Sequence, residues 1–165
     1  MIEASDSKER LKATLSECPS IKSWSRDGNP QVYVDVLSPD IDQRDDPGPE
    51  WWSEIRPYIL IYDGPEKHQL VASPATYAVS GSLVAMFEQN TPAGPYSDEE
   101  LSILFTRFIK SVTADIKALA RLSQHGWVLP TSITTDGPFR ASHEQAIGAG
   151  DCQQYYIEFE WGTLA

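Results

Sequence analysis

Residues 97–126, SDEELSILFTRFIKSVTADIKALARLSQHG, decide the fold of this chain. Their apolar residues recur at spacings of three and four, which places the side chains on one face of an α-helix. These residues are Leu101, Leu104, Phe105, Phe108, Ile109, Val112, Ile116 and Leu119. Ser97 suits the N-cap, the carboxylates of the next three residues suit the positive end of the helix dipole, and Gly126 suits the C-terminal end. The pattern predicts a helix over 97–125, roughly 40 Å long, whose apolar face packs on the rest of the domain.

The opposite face of this predicted helix is basic. We call it the basic stripe, and its members are Arg107, Lys110, Lys117 and Arg121. A charged helix face is most often simply solvated. The stripe stands out because the chain has 13 Lys and Arg against 24 Asp and Glu, a net charge of −11. It is therefore a candidate contact for an acidic partner as well as a solvated face.

Length and composition bound the class of protein. The 165 residues fit a single domain, 1–165, and a hydrophobic content of 41% is enough for a sizeable core. The net charge of −11 opposes passive binding to nucleic acid or to an anionic membrane, because both would repel the chain. It does not exclude a place beside DNA, since a surface along which DNA must slide without sticking would also be acidic.

Cysteine usage and the N-terminus indicate the compartment. Cys18 and Cys152 lie in no CxxC motif and no Cys/His cluster, so we expect two buried free thiols in preference to a disulfide. The first residues are polar and helix-forming, with no apolar signal-peptide run. No stretch approaches the roughly 18 apolar residues of a membrane span. The sequence predicts a soluble protein that stays in the cytoplasm or is assembled from it.

Short helical and extended patterns make up the rest of the chain. A first helix is predicted over 5–18, and extended segments are predicted at 21–24, 31–37, 57–62, 69–72, 76–88, 127–129, 132–133 and 152–161. Residues 134–151 are rich in small residues and predict a loop. In 76–88, small residues on both faces predict a central, closely packed strand with a bulge or close approach at Gly81.

The order of these elements favours one fold class. Strands cluster instead of alternating with helices, which is typical of α+β folds and not of doubly wound parallel ones. We expect a mostly antiparallel sheet of about four to six strands, packed against the long helix (97–125) and a short N-terminal helix. In the last strand Tyr155, Ile157 and Phe159 alternate with Glu158 and Glu160, which predicts one buried face and one polar face.

The stretch at about 38–56 differs in character from the rest. Its acidic residues are Asp40, Asp42, Asp45, Asp46, Glu50 and Glu54. Residues 38–54 also hold three prolines, the pair Trp51–Trp52 and only one base, Arg44. The acidic spacing resembles a calcium loop, but Arg44 and Trp51 stand where oxygen ligands are needed. We therefore predict a solvated, acidic, Pro-rich arm and no metal site, and long loops of this kind are either functional or disordered.

Nothing in the sequence assembles a catalytic centre. GxSxG is absent, and the small residues Ser80-Gly81-Ser82 lie inside a strand pattern, where they serve packing. The three histidines, His68, His125 and His143, are isolated from one another. Gly148-Ala149-Gly150 follows no strand, so it is not a phosphate-binding turn. Glu158 and Glu160 lie roughly 7 Å apart, as on any amphipathic strand. We predict no catalytic residue, no metal, no cofactor and no enzyme.

The basic stripe and the acidic arm are complementary to each other. If the arm of one subunit lies on the long helix of the next, the contact is head-to-tail and closes into a ring when the rotation allows. The charges would set register and association rate, and the two tryptophans would be the buried anchors. The predicted interface residues are Trp51, Trp52, Arg107, Lys110, Lys117 and Arg121.

Six segments, in this order, are similar to those of a known family. They are ERLKATLSECPSI, PYILIYDG, VSGSLVAMFE, DEELSILFTRFIKSVTADIKAL, the Asp136–Arg140 segment DGPFR, and the closing strand GDCQQYYIEFEWG. Together they resemble the tail terminators of long-tailed bacteriophages and the related tail-completion and neck proteins. The resemblance covers most of the chain and rests on the pattern and order of the segments.

The resemblance implies a structural role in the virion, with assembly in the cytoplasm of the host bacterium. Such proteins form hexameric rings that cap the tail tube, end its growth and offer a surface to the head-side connector. DNA passes through the lumen without specific binding, and a charge of −11 suits such a bore. We expect the arm or the polar sheet face to border it, with Asp45, Asp46, Glu158 and Glu160 as lumen-facing candidates.

A second class of function fits the acidic composition equally well. A small monomeric interaction or immunity-type protein would use its carboxylates to neutralise a basic partner. Mass separates the two classes, because a ring has about six times the 18.4 kDa of one chain.

Overall fold

The computed structural model describes residues 4–35, 54–72, 74–121, 130, 132–141 and 152–164. These residues form three helices, which are α1 Ala4–Glu17, α2 Pro19–Trp24 and α3 Asp98–Arg121. They also form six strands, which are β1 Val32–Val34, β2 Tyr58–Asp63, β3 Lys67–Ala72, β4 Thr76–Asn90, β5 Ser132–Ala141 and β6 Cys152–Leu164. A short 3₁₀ turn, Arg26–Gly28, lies between α2 and β1.

The six strands form one mixed sheet. Their spatial order is β1–β2–β4–β6–β5, and β3 also pairs with β4. Strands β1 and β2 are parallel, and every other described pair is antiparallel. The predicted α+β class is confirmed: a mostly antiparallel sheet packs against one long helix, with a short helix at the N-terminus.

Strand β4 is the central element of the sheet. It pairs with β6 from Ala78 to Asn90 without a register shift. On its other side it pairs first with β3, through residues 76–80, and then with β2, through residues 83–88. Strands β2 and β3 therefore follow one another along the same side of β4, as one long antiparallel line.

A bulge separates β2 from β3. Residues 64–66 face only two residues of β4, because Asp63 is opposite Leu83 and Lys67 is opposite Ser80. At this bulge the Gly64 N–H donates to the Ser82 carbonyl at 3.0 Å. A Cβ on Gly64 would collide with the Ser82 hydroxyl, whereas a Cβ on Gly81 would meet nothing within 4 Å. Of the two alternatives predicted for Gly81, the bulge lies directly opposite it. The close approach is wrong for Gly81 and is found at Gly64.

The helices pack on one face of the sheet and enclose the core. The buried residues on the sheet side are Val32, Ile59, Ile61, Leu83, Ala85, Phe87, Tyr155, Ile157 and Phe159. The buried residues of α3 that meet them are Phe105, Ile109, Val112 and Ile116. Trp24 of α2 stacks on Phe108 at 5.0 Å between ring centroids, and Phe105 meets Tyr155 edge-on at 5.4 Å. The face of β6 that carries Tyr155, Ile157 and Phe159 is buried, as the alternation in the sequence predicts.

Leu104 does not belong to the buried face of α3, although the sequence pattern predicts that it does. Its side chain is 46% exposed. Each helical residue turns by about 100°, so Leu104 points away from the line through Phe105 and Val112. The other predicted members are buried or partly buried: Leu101, Phe105, Phe108, Ile109, Val112, Ile116 and Leu119.

Two local predictions are wrong. Residues 21–24 are not extended but belong to α2, because Pro19 occupies the first helical turn, where its missing N–H is not needed. Residues 134–141 belong to β5 and not to a loop. Their small and polar side chains suit an edge strand open to solvent. The predictions for 122–129 and 142–151 lie outside the described residues.

Cys18 and Cys152 are both free and buried, which confirms the prediction of two buried thiols. Burial raises the pKa of the Cys18 thiol to about 12. This thiol is therefore protonated and unreactive at neutral pH. Within the described residues, no helix has the length and apolar character that crossing a membrane would need.

Candidate functional site

The outer face of α3 is the best-defined candidate surface. Ser97 caps the helix, since its hydroxyl accepts the Glu100 N–H at 3.1 Å and its carbonyl accepts the Leu101 N–H at 3.1 Å. Burial of Phe105 and Val112 against the sheet then fixes the rotation of the helix about its axis. As a result Arg107, Lys110 and Lys117 all project to solvent on the opposite side. Arg121 is the last residue of α3, and its side chain lies outside the described part of the chain.

The three described cations of this face form no ion pair with any described residue. The ion pairs of the described residues join Lys8 to Asp35 and Asp63, Lys22 to Glu17, Arg56 to Glu88, His68 to Glu66, and Arg140 to Asp98. Within the described ranges, no carboxylate therefore lies within 4.0 Å of Arg107, Lys110 or Lys117. A chain with a net charge of −11 thus presents a local patch of positive charge.

Two apolar side chains extend this basic surface toward the start of α3. Ile103 is 43% exposed and Leu104 is 46% exposed. They precede Arg107 by four and three residues, which places them on the same side of the helix. We call the five residues together the outer face: Ile103, Leu104, Arg107, Lys110 and Lys117. Such a surface suits a partner segment that carries carboxylates and a large apolar side chain.

The other half of the predicted interface is not described. Trp51 and Trp52, and the acidic candidates Asp45 and Asp46, all lie within residues 36–53, outside the described part. The structure does describe two residues near the ends of this segment that are held firmly in place. Asp35 precedes it and Arg56 follows it, and each is held by polar contacts to the sheet or to α1.

Asp35 is held by Lys8. The Lys8 ammonium lies 2.9 Å from an Asp35 carboxylate oxygen and 2.9 Å from an Asp63 carboxylate oxygen. The Asp35 N–H also donates to the Ile61 carbonyl at 2.9 Å. Hydrogen bonds to Asp63 and Asp35 raise the pKa of Lys8 above its ordinary value. Lys8 therefore joins α1 to the ends of β1 and β2.

Arg56 is held by a buried polar cluster that the sequence did not predict. Its Nε donates to Glu88 Oε2 at 3.0 Å, and neither side chain is accessible to solvent. The Tyr58 hydroxyl donates to the same oxygen at 2.6 Å, and Gln154 donates to Glu88 Oε1 at 2.7 Å. Burial, with the Glu88 charge beside it, raises the pKa of Tyr58 well above its usual range. The charges of this cluster compensate each other, and the cluster ties the start of β2 to β4 and β6.

Glu158 and Glu160 lie together on the face of β6 that points away from the helices. Both are partly exposed, and the register places them opposite Val84 and Ser82 of β4. Val84 is itself only 8% exposed, so this face is less polar than the alternation in β6 alone predicts. The two carboxylates lie on the sheet face that points away from the helices, so they are remote from the outer face of α3.

No catalytic constellation is evident in the part of the chain that the structure describes. Within those ranges no three His, Cys, Asp or Glu side chains are placed to hold a metal ion. A cavity of about 330 Å³ lies beside β1, lined by residues that include Arg26, Asn29, Tyr33 and Glu54. The described residues of its lining include no histidine, cysteine or serine. Burial raises the pKa of Tyr33, which keeps that phenol protonated.

A second exposed surface was not foreseen from the sequence. Strand β3 and the first residues of β4 form what we call the β3–β4 arm, defined as Lys67–Ala72 with Thr76–Ser80. All six residues of β3 are exposed, including Leu70 at 60%. The signal available in the sequence was the apolar run Leu70-Val71-Ala72, which is followed by no acidic residue before Glu88.

No protein-family model matches the sequence, and a comparison with curated proteins gives no match.

Proposed function

We propose that this chain is a structural protein that assembles into a ring of the kind formed by tail terminators of long-tailed bacteriophages. The ring, with six subunits, sits at the head-proximal end of the tail tube. It ends growth of the tube, joins the tail to the head-side connector, and lets DNA pass through its lumen. Its partners are other copies of itself, the tail tube protein and the connector.

The observation that carries this proposal is the outer face of α3. Arg107, Lys110 and Lys117 are exposed and have no carboxylate partner within the described residues. They stand beside exposed Ile103 and Leu104, in a chain whose net charge is −11. Exposed apolar side chains next to uncompensated charge are typical of a surface that contacts another protein.

The chain itself supplies a segment with the complementary chemistry. Residues 38–54 carry six acidic residues against Arg44, together with Trp51 and Trp52. When this segment of one subunit contacts the outer face of the next, the interface uses two different patches and is head-to-tail. Such contacts close into rings when the rotation between subunits allows.

Charge and apolar contact have different roles in this interface. Exposed ion pairs contribute little affinity but steer association and fix register. Tryptophans that become buried contribute most of the affinity, as aromatic anchors do in other interfaces. The interface therefore forms more slowly at high salt and still has an apolar centre that holds it together.

The acidic balance of the chain suits the passage of DNA. Phosphates are repelled by a surface rich in Asp and Glu, so an acidic bore does not retain the duplex. The candidates that border the lumen are Glu158 and Glu160 on the sheet face away from the helices, and Asp45 and Asp46. A ring in which all four faced outward would contradict this part of the proposal.

Light scattering and electron microscopy test the proposal directly. The expected result is a particle of about 110 kDa for six copies of 18.4 kDa, seen as a ring, either alone or after addition of purified tail tube protein. A chain that stays monomeric at every concentration and forms no ring on tubes contradicts it. That outcome favours the monomeric acidic protein that binds a basic partner.

A further inference from the structure

We propose that the β3–β4 arm is a self-association surface, covered in solution by a second copy of this chain. The proposal needs only that copies of the chain meet, so it does not depend on the terminator role proposed above. It rests on the position of the arm in the sheet, on the side chains that it exposes, and on its charge.

The arm continues the apolar face of the sheet past the helices. Alternate residues of β4 face the helical layer, and Leu83, Ala85 and Phe87 are buried there. The unbroken register of β4 with β6 places Val79 and Tyr77 on the same face, farther along the strand. Tyr77 is 43% exposed, so the apolar face runs on beyond the part that the helices cover.

Strand β3 adds to this uncovered face. Leu70 is opposite Tyr77 and His68 is opposite Val79, so the pairs lie side by side on the helix-facing side of the arm. A register shift between Leu70 and Ala72 sets Val71 apart as a bulge, and it is 52% exposed. Contiguous apolar side chains exposed on a hairpin are typical of a surface that another chain covers.

Strand β3 is also an edge strand. Among the described strands it pairs only with β4, so the backbone groups on its outer side face away from the sheet. Natural proteins protect such edges with charges, prolines or another segment, because an open apolar edge pairs with other chains. Lys67 is the only Lys, Arg, Asp or Glu among the six residues of this strand. His68 Nε2 lies 3.4 Å from a carboxylate oxygen of Glu66, which precedes the strand.

Charge identifies the second copy as the occupant. The sequence from Lys67 to Phe87 contains no Asp or Glu, although the chain has 24 in 165 residues. Two copies with a charge of −11 repel each other over most of their surfaces, and the arm, which carries no carboxylate, is a place where this repulsion is weak. The positive charge of Lys67 is also attracted to a second copy, because that copy carries a net charge of −11. A polyanion such as nucleic acid finds only this one lysine on the arm and is repelled by the rest.

Photo-crosslinking of the purified chain tests the proposal. Leu70 is replaced by a benzophenone amino acid in the full-length protein, and a matched variant carries the same group at Glu9, an exposed position on α1. The expected result is a band of about 37 kDa, twice 18.4 kDa, from position 70 and not from position 9. The band should persist in about 1 M NaCl, where the Debye length is about 3 Å, because the contact is apolar.

A substitution pair supplies an independent measurement. Leu70→Ser with Tyr77→Ser should weaken self-association by at least about tenfold in sedimentation experiments, since both side chains are exposed in the monomer and covered in the dimer. Phe139→Ser is the control, because Phe139 has the same exposure as Tyr77, 43%, but lies on β5. Circular dichroism should show that the double variant and the control both stay folded.

The outcomes separate this proposal from the proposed function. No crosslink from position 70 at any concentration, or equal crosslinking from position 9, overturns the arm proposal even if rings form. A crosslink specific to position 70 supports it even if no ring is ever seen, and the terminator role then fails on its own.

Discussion

Arg56 and Glu88 form an ion pair at 3.0 Å in which neither side chain reaches solvent. Arg56 precedes β2 and Glu88 lies near the end of β4, so the pair ties the first residues of one strand to its neighbour. Tyr58 and Gln154 satisfy further lone pairs of the same carboxylate. A pair so placed stabilises the fold only while both partners are present, because a single buried charge without its partner is very costly.

Removal of one partner should therefore be far more damaging than removal of both. Glu88→Ala should lower the free energy of unfolding by about 3–5 kcal/mol, since it leaves the Arg56 guanidinium buried without its carboxylate. The double change Arg56→Met with Glu88→Leu should recover part of that loss, because it removes both charges from the interior but leaves the Tyr58 hydroxyl without its acceptor. Urea unfolding measures both values. A loss below about 1 kcal/mol for the single change would show that the pair is not buried in solution.

Lys8 gives the fold a dependence on alkaline pH. Its pKa is raised by the hydrogen bonds to Asp63 and Asp35, against an ordinary value of 10.5. A raised lysine pKa means that the folded state binds the proton more tightly than the unfolded chain. The resulting stabilisation is complete below pH 10.5 and is lost as the pH rises through the higher folded value.

Lys8→Met should thus destabilise the protein by about 1–2 kcal/mol at neutral pH, where the three charge-assisted hydrogen bonds to Asp35 and Asp63 are lost. The difference in unfolding free energy between wild type and variant should shrink as the pH rises above 10.5. Lys12→Met is the control, because Lys12 lies on the same helix and makes no ion pair within the described residues. If the difference in unfolding free energy between wild type and Lys8→Met stays constant with pH, the Lys8 ammonium is not paired with Asp35 and Asp63 in solution.

Charge reversal on the outer face of α3 should weaken assembly without unfolding the monomer. Arg107→Glu with Lys110→Glu removes two uncompensated cations and places carboxylates where an acidic partner segment would lie. Exposed charges contribute little to stability, so the unfolding free energy should change by less than about 0.5 kcal/mol. Light scattering and electron microscopy should show fewer rings, or none.

A matched reversal separates local contact from net charge. Lys12→Glu with Lys22→Glu makes the same change in total charge at two residues of α1 and α2 that are not members of the outer face. It should assemble like the wild type at the same ionic strength. If both double variants lose assembly equally, general repulsion explains the effect and the outer face is only a solvated surface.

Elements with a regular hydrophobic periodicity can be predicted from the sequence. Features that depend on a single tertiary contact cannot. The spacing of Phe105, Val112 and Ile116 is sufficient for α3, and the alternation in β6 is sufficient for its buried face. The pair Arg56–Glu88 is invisible to such patterns because its partners lie 32 residues apart and meet only through strand register. Leu104 and the β3–β4 arm are apolar by composition but exposed, since no periodicity records how far the helical layer extends over the sheet.

The two glycines of the bulge region show the same distinction and allow a direct test. Gly64→Ala should destabilise the fold by about 1–3 kcal/mol, because its Cβ would collide with the Ser82 hydroxyl while the Gly64 N–H is held to the Ser82 carbonyl. Gly81→Ala, where a Cβ meets nothing within 4 Å, should be neutral or slightly stabilising through the unfolded chain. Thermal unfolding of both variants measures the difference. If the two substitutions change the stability equally, the backbone at Gly64 does not approach Ser82 closely in solution.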